Sequence, residues 1–455
     1  MSASLLSLVA LCCATPAPEQ PPRYSVHEGA IVDSQGQVLL LRGINLRGEA
    51  KGHPDRLIPL GDDEIAVLLD SGFNSVRLLT FWDAVQPERE RIDYDYLRRL
   101  RSEVQRLTSA GLRVVIDLHQ DLWGAPFGDG APAWACPEEL TRGYEATSPW
   151  WLNYLSPQVS ACFDLLWTDA PLRAELTRAW VEVATAVCDV SAVVGFDLLN
   201  EPWPGTSLGV MRFDQAVLYR RFYQPLMDAV EDVCPGRLFF LEPSRAYDLG
   251  LADRLVIEER DRTRVVLAPH FYPASVHEPE QGYDGDRQGL RDMFGHLFDP
   301  YLDEGQALWL GEWGGLTSGP NFEKYVEDLT TLVLEQGLGS ALWVYARGTE
   351  GFAFVDGEGH RLPVFDHSAN LPTPSVLPSR MREVSTTLTP PSWSLELDCR
   401  AGAHMEWLLP GSSAWQLDVE PAGQLDRVDL DGRQLRARCA KDGTLRVRLH
   451  VVDGG

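Results

Sequence analysis

The feature that most restricts this chain is an alternation. From Leu40 to about Gly348, short apolar runs rich in β-forming residues take turns with amphipathic helical stretches. That is the pattern of a parallel sheet with crossover helices. Eight strands are predicted, at Leu40–Asn45, Ser75–Leu79, Arg113–Leu118, Gly195–Leu199, Leu238–Glu242, Val265–His270, Ala307–Gly311 and Ala341–Tyr345. Helical patterns lie between them, at Asp62–Ser71, Tyr94–Ala110, Ala170–Val190, Gln215–Val233, Gly289–Glu304 and Asn321–Gly337. Eight such repeats predict a (β/α)8 TIM barrel, an architecture that gathers reactive groups at the C-terminal ends of its strands.

Past the barrel the pattern changes. A stretch rich in Pro, Ser and Thr precedes alternating segments such as SLELDCRA, WQLDVEP and LRVRLHV, which predict a small C-terminal antiparallel β-sandwich domain. Asp431-Gly432 and Asp442-Gly443 each fall between candidate strands, as hairpin turns would. The division expected is 23–377 for the catalytic barrel and 378–455 for the β-domain.

Residues 1–22 hold an apolar run followed by prolines, which resembles a secretory leader although no Lys or Arg precedes the run. The expectation is export to a periplasmic or extracellular location, with a lipid-anchored leader through Cys12 or Cys13 as the alternative. Two of the eight cysteines lie in this leader, and the remaining even set points to disulfides. Spacing does not fix their connectivity. Pairing within regions would join Cys136 to Cys162, Cys188 to Cys234 and Cys399 to Cys439. No metal is expected, since neither CxxC nor HExxH occurs. The formal charge of −26 argues against nucleic acid and suits a neutral substrate such as sugar.

Polar residues collect where the barrel rule puts a site. Asn200-Glu201-Pro202-Trp203 follows the fourth strand and Gly311-Glu312-Trp313-Gly314 the seventh. Strands four and seven lie on opposite sides of a narrow barrel, so the two glutamates would face each other across a sugar. Retaining cleavage of a glycosidic bond needs two such carboxyls, one to protonate the leaving oxygen and one to attack the anomeric carbon. Glu312 is read as the nucleophile, kept ionised by Arg77 at the end of strand two and Tyr272 after strand six. Glu201 is read as the general acid/base, starting protonated through desolvation and the field of Glu312. Asn200 would bind the sugar 2-hydroxyl, His119 and His270 would orient carboxylates or bind hydroxyls, and Trp343 would stack a sugar ring. Each has a structural alternative: a helix start at Asn-Glu-Pro, a turn at Gly-Glu-Trp-Gly, an ion pair at Arg77, core packing for the rings. Their co-occurrence at successive strand ends favours the site.

These residues resemble glycoside hydrolase family 5 of clan A, whose marks are present as Arg77, His119, Asn200-Glu201-Pro202, His270-Phe271-Tyr272, Glu312 and Trp343. Within it, GINLRGEAKG, IDLHQDLWG and LNEPWPG are similar to the endoglycoceramidase and glycosylceramidase branch, which releases sugar from ceramide and also carries a C-terminal β-domain. That resemblance implies that Lys51 and Asp121 bind the first sugar on the glycone side. It implies hydrolysis with no cofactor. The loop Glu145–Cys162 and the acidic insert Val276–Gly289 depart from the branch. Trp134, Trp150, Trp151, Leu152, Tyr154, Phe163 and Trp167 crowd the connection after strand three. They would form either a greasy patch for a lipid tail or micelle surface or a loop core clamped by Cys136 and Cys162.

The expected partner is thus a glycolipid or oligosaccharide, with transient membrane or micelle contact and no obligate protein partner. The competing functions are an endo-β-glucanase or mannanase acting on polysaccharide, and a non-catalytic carbohydrate-binding barrel. Two intact glutamates argue against the last.

Overall fold

The computed structural model describes residues 24–206, 215–248, 252–277, 282–349, 351–388, 390–410 and 414–451. The expected leader, and part of the acidic insert, lie outside the described residues. The barrel strands are β1 (Arg42–Leu46), β2 (Ser75–Thr80), β3 (Arg113–Leu118), β4 (Val193–Asp197) and β5 (Leu238–Leu241), then β6 in two pieces (Val265–Leu267 and His270–Phe271), β7 (Trp309–Trp313) and β8 (Gly339–Tyr345). All pair in parallel, with β8 returning to β1.

The ring closes through the broken β6. Its first piece pairs with β5, Leu241 opposite Leu267, and its second with β7, His270 opposite Glu312. Pro269 sits in the break, where its missing N–H would interrupt any ladder. The gap is bridged because Leu267 N–H donates to the Ala307 carbonyl (2.9 Å) and Gly311 N–H to the Pro269 carbonyl (3.1 Å).

The interior is layered. Val115, Val194, Phe240, Val266, Trp309 and Ala341 fill the lower barrel, and Tyr24, Val26, Ile31 and Leu41 join the same cluster. The N-terminal strands Ser25–His27 and Ala30–Val32 therefore plug the barrel floor, held by Tyr24 N–H to the Gly236 carbonyl (3.1 Å) and Val26 N–H to the Thr263 carbonyl (2.8 Å). Outside, helices cover the strands with one apolar face each. In Tyr94–Ser109 the buried apolar positions are Tyr96, Leu97, Leu100, Val104 and Leu107, with Glu103 buried beside them and accepting from Leu60 N–H, and the Asp93 side chain caps the first turn by accepting from Asp95 and Tyr96 N–H.

Several elements differ from their sequence-based bounds. The fourth strand ends at Asp197 rather than Leu199, and the seventh runs through Glu312 to Trp313. Arg77, expected at a strand end, lies mid-strand in β2. Strands buried on both faces read as unbroken apolar runs, so hydropathy cannot set their register. The helix expected over Gln215–Val233 is split by a wide turn at Tyr219–Tyr223, where Gln224 N–H reaches back to the Tyr219 carbonyl. Pro225, just beyond, supplies no N–H to an ordinary helical ladder. A helix at Pro157–Thr168, capped by Ser156, was not anticipated.

Beyond the barrel two antiparallel sheets enclose a second core with Trp393 edge-on to Trp407 at 5.8 Å. The N-terminal strands belong to the larger of these sheets: Val38–Leu39 pairs with Thr373–Leu377. Asp431-Gly432 turns a hairpin between Leu425–Asp431 and Gln434–Cys439. Asp442-Gly443 does not; it carries the chain from one sheet to the other. Three disulfides join Cys136 to Cys162, Cys188 to Cys234 and Cys399 to Cys439, the last linking the two sheets.

Candidate active site

Above the apolar barrel layer lies a polar one, with a side chain drawn from almost every strand. Arg77 is its centre and is fully buried. Its Nε donates to Asp197 (2.8 Å), Nη1 to Asn45 (3.0 Å) and Glu312 (2.8 Å), and Nη2 to Asp117 (2.9 Å), Asn200 (2.9 Å) and Glu242 (3.0 Å). Burial works against the guanidinium's charge, but four carboxylates outweigh it and hold its pKa well above the usual value. For Asp117 and Asp197 burial is the larger effect and pushes both carboxyls up despite Arg77.

Glu312 is fixed from two sides, by Arg77 on Oε1 and by the Tyr272 hydroxyl on Oε2 at 2.8 Å. Burial beside Glu312 raises the Tyr272 pKa, so its phenol remains a donor. Glu201 lies just past the end of β4, beyond the short segment 198–200, and has a left-handed φ of 41°. Such a conformation in a non-glycine residue persists only where its surroundings hold it. Here Gln120 Nε2 donates to the carbonyls of Asn200 (2.7 Å) and Glu201 (3.0 Å), and Glu201 N–H donates to Glu242 Oε2 (2.7 Å). One oxygen of Glu201 and one of Glu312 lie within 4.8 Å of each other.

The groups around Glu201 work against the protonated form expected for it. Burial would raise its pKa, but Arg245, whose Nε is 3.6 Å from Oε1, and His270, whose Nδ1 is 3.0 Å from Oε1, lower it to about 2. Neither cation is visible in the local sequence around Asn-Glu-Pro. Both pull the carboxyl toward its ionised form.

His119 contacts Asp117 through Nδ1 (2.9 Å), stacks on Trp343 (5.2 Å between ring centres, 14° between planes) and points Nε2 toward Asp121 (3.9 Å). Burial, then Lys51 and Arg77, keep it neutral. Lys51 pairs with Asp121 and sits over the Trp343 ring at 5.1 Å. Asn200 donates to the Gln120 carbonyl (2.9 Å) and accepts from Arg77, leaving its second amide hydrogen available.

A cavity of about 740 Å3 is lined by Lys51, His119, Asp121, Asn200, Glu201, Tyr272, Glu312 and Trp343, while Arg77 and His270 lie beneath them. All ten sequence-derived site residues thus converge. Arg245, Trp203 and Phe352 also line it and Glu242 supports it from below, though none was singled out. Glu242 carried the same signal as the others, an acid closing an apolar strand. The aromatic loop divides by residue. Trp150, Trp151 and Tyr154 line the cavity, whereas Phe163 and Trp167 are buried and Trp134 packs on Trp82 at 5.2 Å. Two groups of metal-type ligands occur among the described residues near the cavity, His119/Asp121/Asp129 and Glu201/His270/Glu312. In both a protein cation already sits at the carboxylates, Lys51 in one and Arg77 in the other.

A family model described as Cellulase (glycosyl hydrolase family 5) matches residues 32–348. Among curated proteins, Endoglycoceramidase I of Rhodococcus hoagii is 34% identical over 261 residues, covering 53% of this chain and 51% of that one. The chain spans about half the length of that relative. Among solved structures, Endo-glycoceramidase II from Rhodococcus sp. superposes as its lactosyl-enzyme intermediate with a TM-score of 0.78 and 26% identity, over 93% of this chain and 99% of that one. Its ganglioside GM3 complex gives a TM-score of 0.79 and 25% identity over the same shares.

Proposed function

The chain belongs to glycosyl hydrolase family 5, and from that premise we propose that it is a retaining β-glycosidase cleaving the bond between sugar and ceramide. The observation that carries the retaining reading is the approach of Glu201 and Glu312 to within 4.8 Å. Retaining enzymes hold their carboxyls about 5–5.5 Å apart and inverting ones about 6.5–9.5 Å, the larger gap admitting a water. The similarity to an enzyme captured as a lactosyl-enzyme intermediate supports the same course.

In this mechanism Glu312, oriented by Arg77 and Tyr272, attacks the anomeric carbon. Glu201, protonated when the leaving oxygen arrives, delivers its proton to that oxygen. Once the aglycone has left, Glu201 accepts a proton from water, which then attacks the same carbon and releases the sugar. Asn200 and His119 bind hydroxyls of the reacting sugar. Lys51 and Asp121 bind the glycone, and Trp343 gives its ring a face. On the aglycone side, Trp150, at 47% exposure, and Leu155, at 58%, stand on the cavity rim. That suits an acyl tail or a micelle surface better than a polysaccharide. Three disulfides favour an oxidising compartment, and among the described residues no helix is long and apolar enough to cross a membrane.

A panel of aryl β-glycosides, detergent-dispersed glycosphingolipids and soluble β-glucans tests the reading. Faster turnover of the glycolipids is expected; faster turnover of the glucans would overturn it.

A further inference from the structure

The cavity has two unlike walls. On one, Lys51 pairs with Asp121 and lies 5.1 Å over Trp343, which stacks on His119. These groups follow β1, β3 and β8 and are the ones assigned above to the sugar. The facing wall is built after β4 and β5, and β5 stands opposite β1 in the eight-stranded ring. It carries Glu201, so the leaving group, which takes the Glu201 proton, departs along this wall. Its rings run outward from Trp203 to Tyr154 at 5.4 Å and from Tyr154 to Trp150 on the rim at 6.3 Å.

At the foot of this aromatic run stands a cation. Arg245 opens the short helix Arg245–Asp248 after β5, its N–H donates to the Pro202 carbonyl at 3.0 Å, and its Nε is 3.6 Å from Glu201 Oε1. The side chain is 21% exposed and lines the cavity. Burial raises the pKa of Tyr154 and of Tyr272, and the Arg245 charge opposes that rise at both phenols, so the guanidinium stands near each of them as well as near the acid. Among the described lining residues Lys51 is the other permanent cation, and it belongs to the sugar wall.

A guanidinium only donates hydrogen bonds. At the base of an apolar channel such a group orients the ligand and selects one that brings an acceptor. That acceptor must lie close to the scissile oxygen, because this oxygen comes within hydrogen-bond reach of Glu201 and Arg245 stands beside Glu201. In an N-acylated amino alcohol the amide carbonyl oxygen is five bonds from the scissile oxygen, which lets it meet the guanidinium while Glu201 addresses the bond.

We propose that Arg245 is a specificity-determining residue whose guanidinium donates to the amide carbonyl of an N-acylated lipid aglycone. This rests on the glycosidase reading above and names the feature of the aglycone that the site selects. A free amine at the same carbon is protonated, offers no acceptor and meets a like charge. A plain alkyl alcohol offers nothing to pair with, and a partly buried guanidinium makes that lack costly.

The test uses three lipids with one glycone in one detergent: lactosylceramide, lactosylsphingosine and octadecyl β-lactoside. kcat/KM is measured for the wild type and for Arg245→Met, which keeps an unbranched apolar stem and removes the charge. Arg245 also adjoins the acid, so each rate is divided by that for octadecyl β-lactoside, and any change at Glu201 cancels. The lactosylceramide ratio should fall by about 10-fold or more, the worth of one charged hydrogen bond, whereas the lactosylsphingosine ratio should hold or rise. A smaller fall for lactosylceramide, or a lactosylsphingosine ratio that falls with it as from a merely structural role, overturns the inference. If the variant does not fold, the wild type decides: equal kcat/KM on lactosylceramide and lactosylsphingosine would overturn it. A wild type inert on all three lipids and on p-nitrophenyl β-lactoside would instead sink the glycosidase reading itself.

Discussion

Replacing Trp150 by Ala removes the most exposed aromatic group on the cavity rim while leaving the catalytic layer alone. The ring is 47% exposed, and its ring neighbour is Tyr154, tilted at 6.3 Å. A Trp offers roughly 150–250 Å2 for burial, so about 70–120 Å2 remains for a lipid chain to cover. At about 25 cal/mol/Å2 that is a ceiling of about 2–3 kcal/mol, or about 30–150-fold in kcat/KM. A mobile acyl tail covers only part of this face, so a loss of about 5–30-fold is expected on detergent-dispersed lactosylceramide. p-Nitrophenyl β-lactoside does not reach the rim and should change by less than about 2-fold. The assay is kcat/KM for both substrates at one detergent concentration, with Tm measured alongside. Equal losses on both substrates, or none on the glycolipid, would refute the assignment of this rim to the lipid.

Glu312→Gln removes the attacking carboxylate and should lower aryl-glycoside turnover by several orders of magnitude; a variant within about 10-fold of wild type would mean another nucleophile. Glu201→Ala should retain activity on dinitrophenyl glycosides and form a β-glycosyl azide when azide is added, with product anomer read by NMR; an α-azide would mean inversion. Asp121→Ala takes away the partner of Lys51, leaving that ammonium 4.0 Å from Asp129. It should cost about 2–4 kcal/mol in transition-state binding, read as about 30- to 1,000-fold in kcat/KM, and retention of full activity on both glycolipid and aryl glycoside would remove Asp121 from the glycone site.

How much of this was legible in the sequence depended on range. The strands could be counted from apolar runs and the two glutamates placed by the motifs behind them, because strand order alone brings strand ends to one mouth. The exact bounds of β4 and β7 could not be read, because both are buried on both faces. The cations beside Glu201 escaped the sequence for a spatial reason: Arg245 and His270 reach it from other loops of the barrel. Glu242 closes its apolar strand as Glu312 does, yet no known motif stands beside it, and its hold on the Glu201 N–H appears only in three dimensions. The tryptophan-rich loop offered two readings, and it divides by residue: Trp150, Trp151 and Tyr154 line the cavity, while Phe163 and Trp167 are buried. Cysteine pairing followed region, since each bridge joins segments of one packing unit.

The seam between Val38–Leu39 and Thr373–Leu377 has a consequence for synthesis. Leu39 pairs with Val376, so 376 − 39 = 337 residues must be added after the first partner before the second exists. At roughly 5–20 residues per second that is about 20–70 s during which an early strand waits with an unpaired edge. The barrel floor, which the neighbouring Ser25–His27 and Ala30–Val32 plug, cannot reach its final state before the tail arrives. A chain truncated before residue 373 would lose more than an appendage: it would emerge with that edge permanently open, a template for aggregation.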